Sequence, residues 1–298
     1  MPKDLIKPGP YEVGYLEMRV DLDSSIILLN EDFRTVTVAV WYPDVKKSRN
    51  LIKKEVPARF PVIVLCPGAE AGLDVYMILT GYLSSYGFIV ATFPSSADQY
   101  TYGREIYLWE FRQLQQEYLK IAATRAGNMN IADPDRMAVM GHSYGGPAAI
   151  LFALSDEKVD AVVSLDGTDI CRGYTAKMAE QFPAYNPANL RDPFLLILAD
   201  ASYCIGEKRS LDFFEGITGT DACIVELFKF GHEHFGYTPS FNADPEVKQS
   251  FEIACLYLLN FFKAHLYGDV AANDWLLKSP EELGLPKELF ALKRKMNE

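Results

Sequence analysis

The stretch RMAVMGHSYGGPAAI, residues 136–150, decides how the rest of the chain is read. Its opening, RMAVM (136–140), is a short apolar run of the kind that forms a strand buried on both faces of a sheet. Gly146 to Ser155 reads as a helix. Between them, Gly141-His142-Ser143-Tyr144-Gly145-Gly146 is a G-x-S-x-G pattern that sets Ser143 on a strand-to-helix turn. The glycines have a physical reason. The serine is held in a strained backbone conformation, and side chains beside it would strike the neighbouring strand and helix. Such a turn lifts the serine oxygen above the sheet, with a helix N-terminus beneath any oxyanion formed there. Ser143 is the candidate nucleophile.

Outward from this turn the same alternation recurs. PVIVLC (61–66), FIVATF (88–93), DAVVSL (160–165), FLLIL (194–198) and ACIVELF (222–228) are continuous apolar runs. Helical patterns occupy Glu105–Thr124, Lys208–Glu215 and Glu246–Tyr267. Strand alternating with helix implies an α/β fold, a mostly parallel central sheet with helices on both faces. Two earlier segments, Tyr11–Asp21 and Arg34–Tyr42, read as antiparallel strands and give that sheet an antiparallel N-terminal edge. There is no internal repeat or low-complexity linker, so one domain is expected over residues 1–298. Residues 169–192 are too long for a simple connection and read as a cap-like insertion. Residues 269–298 read as a C-terminal helical tail, with a short helix around Pro280–Lys295.

Composition excludes several classes. The 298 residues are 49% hydrophobic, 23% charged and 13% aromatic, which is globular rather than disordered or collagen-like. Lys+Arg is 29 against 40 Asp+Glu, a net charge of −11, which argues against nucleic acid or anionic membranes as general partners. No apolar run reaches the roughly 18 residues that cross a bilayer, so no stable membrane insertion is expected. The polar segment Met1–Pro10 lacks the apolar core of a signal peptide, so the expected location is cytoplasmic, or exported if a signal has been removed. Of five cysteines, Cys66, Cys223 and Cys255 sit in apolar runs and read as small buried hydrophobes. Cys171 and Cys204 lie in loop-like segments and form the one candidate disulfide pair.

A serine nucleophile needs a base. His142 adjoins Ser143, and its side chain is expected to point away from the serine's; His265 sits in a helical run. His232 and His234 follow the run ACIVELF, where a loop reaches back over the turn; His232 is preferred, with His234 as the alternative base. A metal reading of His232-Glu233-His234 lacks a third ligand, so neither metal nor other cofactor is expected. The base needs a carboxylate to fix its tautomer. Asp166 follows DAVVSL and Asp200 follows FLLIL, and either gives the chain order Ser, acid, His. The oxyanion needs two backbone donors: the Tyr144 N–H, and one from the loop Pro67–Gly72. Proline cannot donate, which makes Ala69 the second candidate. Tyr100, Tyr102, Tyr107 and Trp109 are candidates to line a pocket or to pack in the core.

At this level of detail the chain resembles the α/β-hydrolase superfamily. More narrowly it resembles the platelet-activating factor acetylhydrolase and dienelactone hydrolase-like branch, with cutinase-like polyester hydrolases as cousins. The matching pieces are Gly9-Pro10-Tyr11 with Val13-Gly14, Val40-Trp41-Tyr42-Pro43, Pro61–Val64, Gly87–Val90, Gly141–Gly146, Ser164–Gly167 and Gly231-His232. The resemblance implies a serine esterase without a cofactor, acting on a small-molecule ester. Relatives have His-Gly where this chain has Pro67-Gly68, and dienelactone hydrolases proper have a cysteine where it has Ser143. In the polyester hydrolases the acid is the second Asp of Ala-Asp-x-Asp, a place held here by Ser202. The acetylhydrolase branch has its acid one strand earlier, in a stretch like Leu165-Asp166-Gly167. The resemblance thus implies Asp166, with Asp200 as the alternative acid. Two other classes share these features: a thioesterase, lipase or acyltransferase with the same triad, and a non-catalytic binding protein on the same fold.

Overall fold

A computed structural model describes residues 5–25, 31–48, 57–95, 108–156, 158–200, 209–236 and 244–297. Tyr100, Tyr102, Tyr107, Ser202, Cys204 and the side chain of Trp109 lie outside the described residues.

Among the described residues nine strands form one sheet: β1 Val13–Asp21, β2 Thr35–Pro43, β3 Phe60–Cys66, β4 Ile89–Thr92, β5 Ala132–His142, β6 Val159–Leu165, β7 Phe194–Leu198, β8 Ala222–Leu227 and β9 Phe290–Lys295. Their order is β1-β2-β4-β3-β5-β6-β7-β8-β9. The six strands from β4 to β8 in that order are parallel. β1 and β2 make the antiparallel edge. Burial follows sequence pattern: every residue of β3 and β7 is buried, whereas β1, mixed in composition, is mostly half-buried or exposed.

Helices cover both faces. Val62 and Val64 of β3 face one layer, with α2 (Leu108–Gly127), α3 (Gly145–Ala153), Met178 of α4 (Arg172–Gln181) and Phe213 and Phe214 of α5 (Asp212–Gly216). Ile63 and Leu65 face the other, with α1 (Met77–Ser85) and α6 (Pro245–Tyr267). Between β4 and β5, which flank β3, the chain changes direction along the sheet. The loops after β3 and β5 therefore lie at the strands' carboxyl ends where that direction changes, the usual binding place in open α/β sheets.

The segment 169–192 contains a 3-10 turn at Thr168–Ile170, then α4, then a turn at Pro187–Asn189. It is tied down by buried Met178, Tyr185 and Leu190. Cys171 is disulfide-bonded and pairs through its backbone with Arg209. Its expected partner, Cys204, is outside the described residues; Cys66, Cys223 and Cys255 are free.

The C-terminal segment corrects the expected helical tail. It holds α7 (Val270–Leu277) and α8 (Pro280–Leu283), but Phe290–Lys295 is a strand, paired antiparallel with β8. FALKRK has good helix propensity. Gly284, in the left-handed region at φ 63°, stops α8, and the open ladder of β8 supplies hydrogen bonds that a solvated helix cannot match. No helix among the described residues is long and apolar enough to cross a membrane.

Candidate active site

β5 ends at His142 and α3 begins at Gly145, so Ser143 occupies the turn between them, at φ 53°. That left-handed conformation costs about 1–2 kcal/mol for a residue with a Cβ. The surroundings hold it there. The Ser143 N–H donates to Leu165 O (3.1 Å), and Ser143 O accepts from Gly146 N (3.0 Å) and Thr168 N (3.0 Å). The flanking glycines are steric requirements: a Cβ on Gly141 would lie 2.0 Å from Gly145 O, and one on Gly145 2.1 Å from Cys66 O.

β6 delivers Asp166, also at positive φ (43°), and its side chain is fully buried. Its N–H donates to Ile197 O at 2.7 Å. Oδ1 accepts the Ala199 N–H at 3.1 Å, and Oδ2 lies 2.6 Å from His232 Nδ1. A carboxylate can only accept, so neutral His232 carries its proton on Nδ1 and presents a lone pair at Nε2. The ring's exposure of 18% leaves it reachable from solvent.

Asp200 and His234 make other contacts. Asp200 is exposed; its N–H donates to Phe230 O (3.0 Å) and its carboxylate accepts from Lys229 N (3.3 Å), shaping the turn after β8. His234 Nδ1 accepts the Gly231 N–H at 2.7 Å, and the ring packs on Phe230. Both build the loop that carries His232.

The loop after β3 lies directly against the elbow. A Cβ on Gly68 would be 2.9 Å from His142 Nδ1 and 3.1 Å from Ser143 Cβ. The Gly68 N–H is taken by the Tyr76 hydroxyl at 2.9 Å, so Ala69 is the next backbone donor along the loop. Tyr144, whose N–H is the other candidate donor, is the residue leading into α3.

Sequence reasoning missed three residues here. His142 is buried, and its ring stands 4.7 Å from that of His232, within the site rather than apart from it. Burial, with His232 nearby, pushes its pKa down to about 3, so it is neutral. Tyr76 bonds its Nδ1 at 2.9 Å. Arg112, fully buried, donates to Tyr144 O, Gln115 Oε1 and the Tyr174 hydroxyl, with its guanidinium over the Tyr144 and Tyr174 rings at 5.6 and 5.3 Å. A histidine inside the G-x-S-x-G pattern was the visible signal for the first. Arginine in a helical run gave none.

Among the described residues no group of three or more His, Cys, Asp or Glu is arranged to hold a metal ion.

A protein-family model, Chlorophyllase, matches residues 30–189, more than half of the 298 residues. The chain belongs to the chlorophyllase family. It is an α/β-hydrolase-type family, in agreement with the sheet order and the elbow. The match takes in the Pro67–Gly72 loop, Ser143 and Asp166; His232 lies beyond it. A chlorophyllase type 0 from Chenopodium album is 28% identical over 127 residues, covering 38% of this chain and 35% of that protein. The match thus spans about a third of that relative's length.

Proposed function

We propose that this protein hydrolyses carboxylic esters through an acyl-enzyme formed on Ser143. The observation that carries the proposal is the buried Asp166 carboxylate 2.6 Å from His232 Nδ1, in the loop above a G-x-S-x-G elbow. In this reading the Ser143 oxygen attacks the ester carbonyl while its proton passes to His232 Nε2. Asp166 holds the tautomer and stabilises the imidazolium. The tetrahedral oxyanion is met by the N–H groups of Tyr144 and Ala69, over the N-terminus of α3. His232 then protonates the departing alcohol. Water, deprotonated by the same His232, cleaves the acyl-enzyme and regenerates Ser143. No step calls for a cofactor.

The family name points to a chlorophyll-type ester as the substrate class, and the opening Gly9-Pro10-Tyr11 and Trp41-Tyr42-Pro43 pieces to a relation with the acetylhydrolase branch. The single sheet supports reading the chain as one domain with residues 169–192 beside the site. A fluorophosphonate probe, followed by mapping of the adduct, tests the nucleophile. A panel of aryl esters, long-chain esters, thioesters and chlorophyll then separates esterase from thioesterase, lipase and acyltransferase. The expected result is an adduct on Ser143 and turnover of oxygen esters. Folded protein without an adduct on Ser143 overturns the proposal in favour of a binding protein.

A further inference from the structure

We propose that His142 is a positioning residue which, with Tyr76, locks the oxyanion loop and the base loop into one unit. The inference rests on the hydrolase reading above, and assigns to that site two residues outside the triad.

The geometry fixes the direction of every hydrogen bond. His142 Nε2 lies 3.1 Å from the carbonyl oxygen of His232. A carbonyl only accepts, so Nε2 carries the proton. The neutral ring then has a lone pair on Nδ1, which must accept from the Tyr76 hydroxyl 2.9 Å away. The Tyr76 oxygen in turn accepts the Gly68 N–H, also at 2.9 Å. The chain runs Gly68 N–H to Tyr76 O–H to His142 Nδ1, and His142 Nε2–H to His232 O. Every member has one role and none is interchangeable. Tyr76 is 1% exposed and His142 7%, so water does not compete for these bonds.

Two loops far apart in sequence are joined in this way. Gly68 leads to the candidate donor Ala69, and the far end is the backbone of the candidate base itself. The Phe235 ring packs on the His142 ring at 5.4 Å, and the His142 ring lies 4.7 Å from that of His232, tilted by 33°. Among the described residues the charged and titratable neighbours of the ring are Tyr76, His232 and Asp166, and the lowered pKa of His142 fits a neutral role. A protonated His142 would put Nδ1–H against the tyrosine hydroxyl and a second cation beside the imidazolium that the reaction needs.

Three variants test the relay. In His142→Gln the amide nitrogen reaches where Nε2 stood, so the His232 carbonyl keeps a donor, and the amide oxygen gives the Tyr76 hydroxyl an acceptor. In His142→Asn the shorter side chain serves only the Tyr76 side. Tyr76→Phe removes the middle link. His142→Asn and Tyr76→Phe should lower kcat about ten- to hundredfold with KM nearly unchanged, as small misplacements do; His142→Gln should recover most of the loss of His142→Asn. Hydrogen exchange followed by mass spectrometry supplies a readout independent of turnover. Tyr76→Phe should speed exchange in residues 228–234 as well as in 67–76; the hydrogen-bonded route from Tyr76 to the former runs through His142, and Gly236, which lies against Val75, is left out of the comparison. Faster exchange in 67–76 alone, or a rise in KM with kcat intact, overturns the relay. Failure of wild-type Ser143 to take the fluorophosphonate would instead overturn the hydrolase reading, and the exchange experiment would still decide whether the two loops are coupled.

Discussion

Asp166→Asn separates orientation from charge at the proposed triad. The amide is almost isosteric with the carboxylate, so packing is preserved. Its orientation is dictated by Ala199, whose N–H lies 3.1 Å from Oδ1 and can only donate. The asparagine oxygen must face Ala199, and its NH2 must then face His232 Nδ1. That nitrogen is forced to present a lone pair, which moves the ring proton to Nε2, where it blocks proton transfer from Ser143. Flipping the amide restores the useful tautomer but sets two N–H groups against each other in a buried place, at about 1–3 kcal/mol, or roughly 5- to 150-fold in population. The lost charge adds to this. A carboxylate about 4 Å from an imidazolium contributes about 4 kcal/mol at an effective dielectric of 20, itself near 10³-fold. The two effects together predict a kcat loss of at least about 10³–10⁴, with KM little changed. Initial rates on an aryl ester near neutral pH, alongside a thermal melt, measure it. Asp200→Asn, on the exposed turn, is the control and should cost less than about threefold. A folded Asp166→Asn enzyme within tenfold of wild type would refute the reasoning.

Ser143→Ala should lower kcat by about 10³ or more while leaving Tm nearly unchanged; near wild-type turnover would remove the nucleophile assignment. Gly68→Ala puts a methyl 2.9 Å from His142 Nδ1 and 3.1 Å from Ser143 Cβ, and should cost about 10²-fold in kcat; full activity would show the loop has slack that the packing does not suggest. Asp169, fully buried with Oδ1 accepting from Ser164 Oγ at 2.7 Å, has its pKa raised by burial from 3.8 to about 6. A raised folded value means this group's stabilisation is present below pH 3.8 and is lost as pH rises through 6. The Tm of Asp169→Asn should therefore climb relative to wild type between pH 4 and pH 7, and a constant difference over that range would sink the idea. Thiol titration of unfolded, unreduced protein should count three free thiols, from Cys66, Cys223 and Cys255, and five would exclude any bridge at Cys171.

What was legible in the sequence was local. The elbow is a run of six residues whose spacing contains its own steric reason. The buried strands announced themselves as unbroken apolar runs. The preference for Asp166 over Asp200 came from a resemblance in the flanking Leu165 and Gly167, since both aspartates end a strand in the same way. What the sequence hid was non-local. The place of His142 is set by a carbonyl 90 residues away and a hydroxyl 66 residues away. Arg112 sits in a segment whose helical pattern was plain, yet nothing in it foretold a guanidinium buried under Tyr144. The error over residues 290–295 has the same origin, because helix propensity is local and the vacant ladder of β8 is not.

That last strand has a consequence for the solution behaviour of the chain. Without β9, the segment Ala222–Leu227 (ACIVEL) would be an outermost strand, apolar but for Glu226 and with a row of free amides and carbonyls open to any other chain. With it, the outermost strand is FALKRK, and Lys293, Arg294 and Lys295 line the rim. A second molecule approaching edge to edge meets charged side chains, among them the Lys293–Glu215 ion pair, in place of the apolar run of β8. Covering an apolar strand with a short charged one is how sheets discourage edge-to-edge pairing, and here it falls on the flank of the sheet that carries His232.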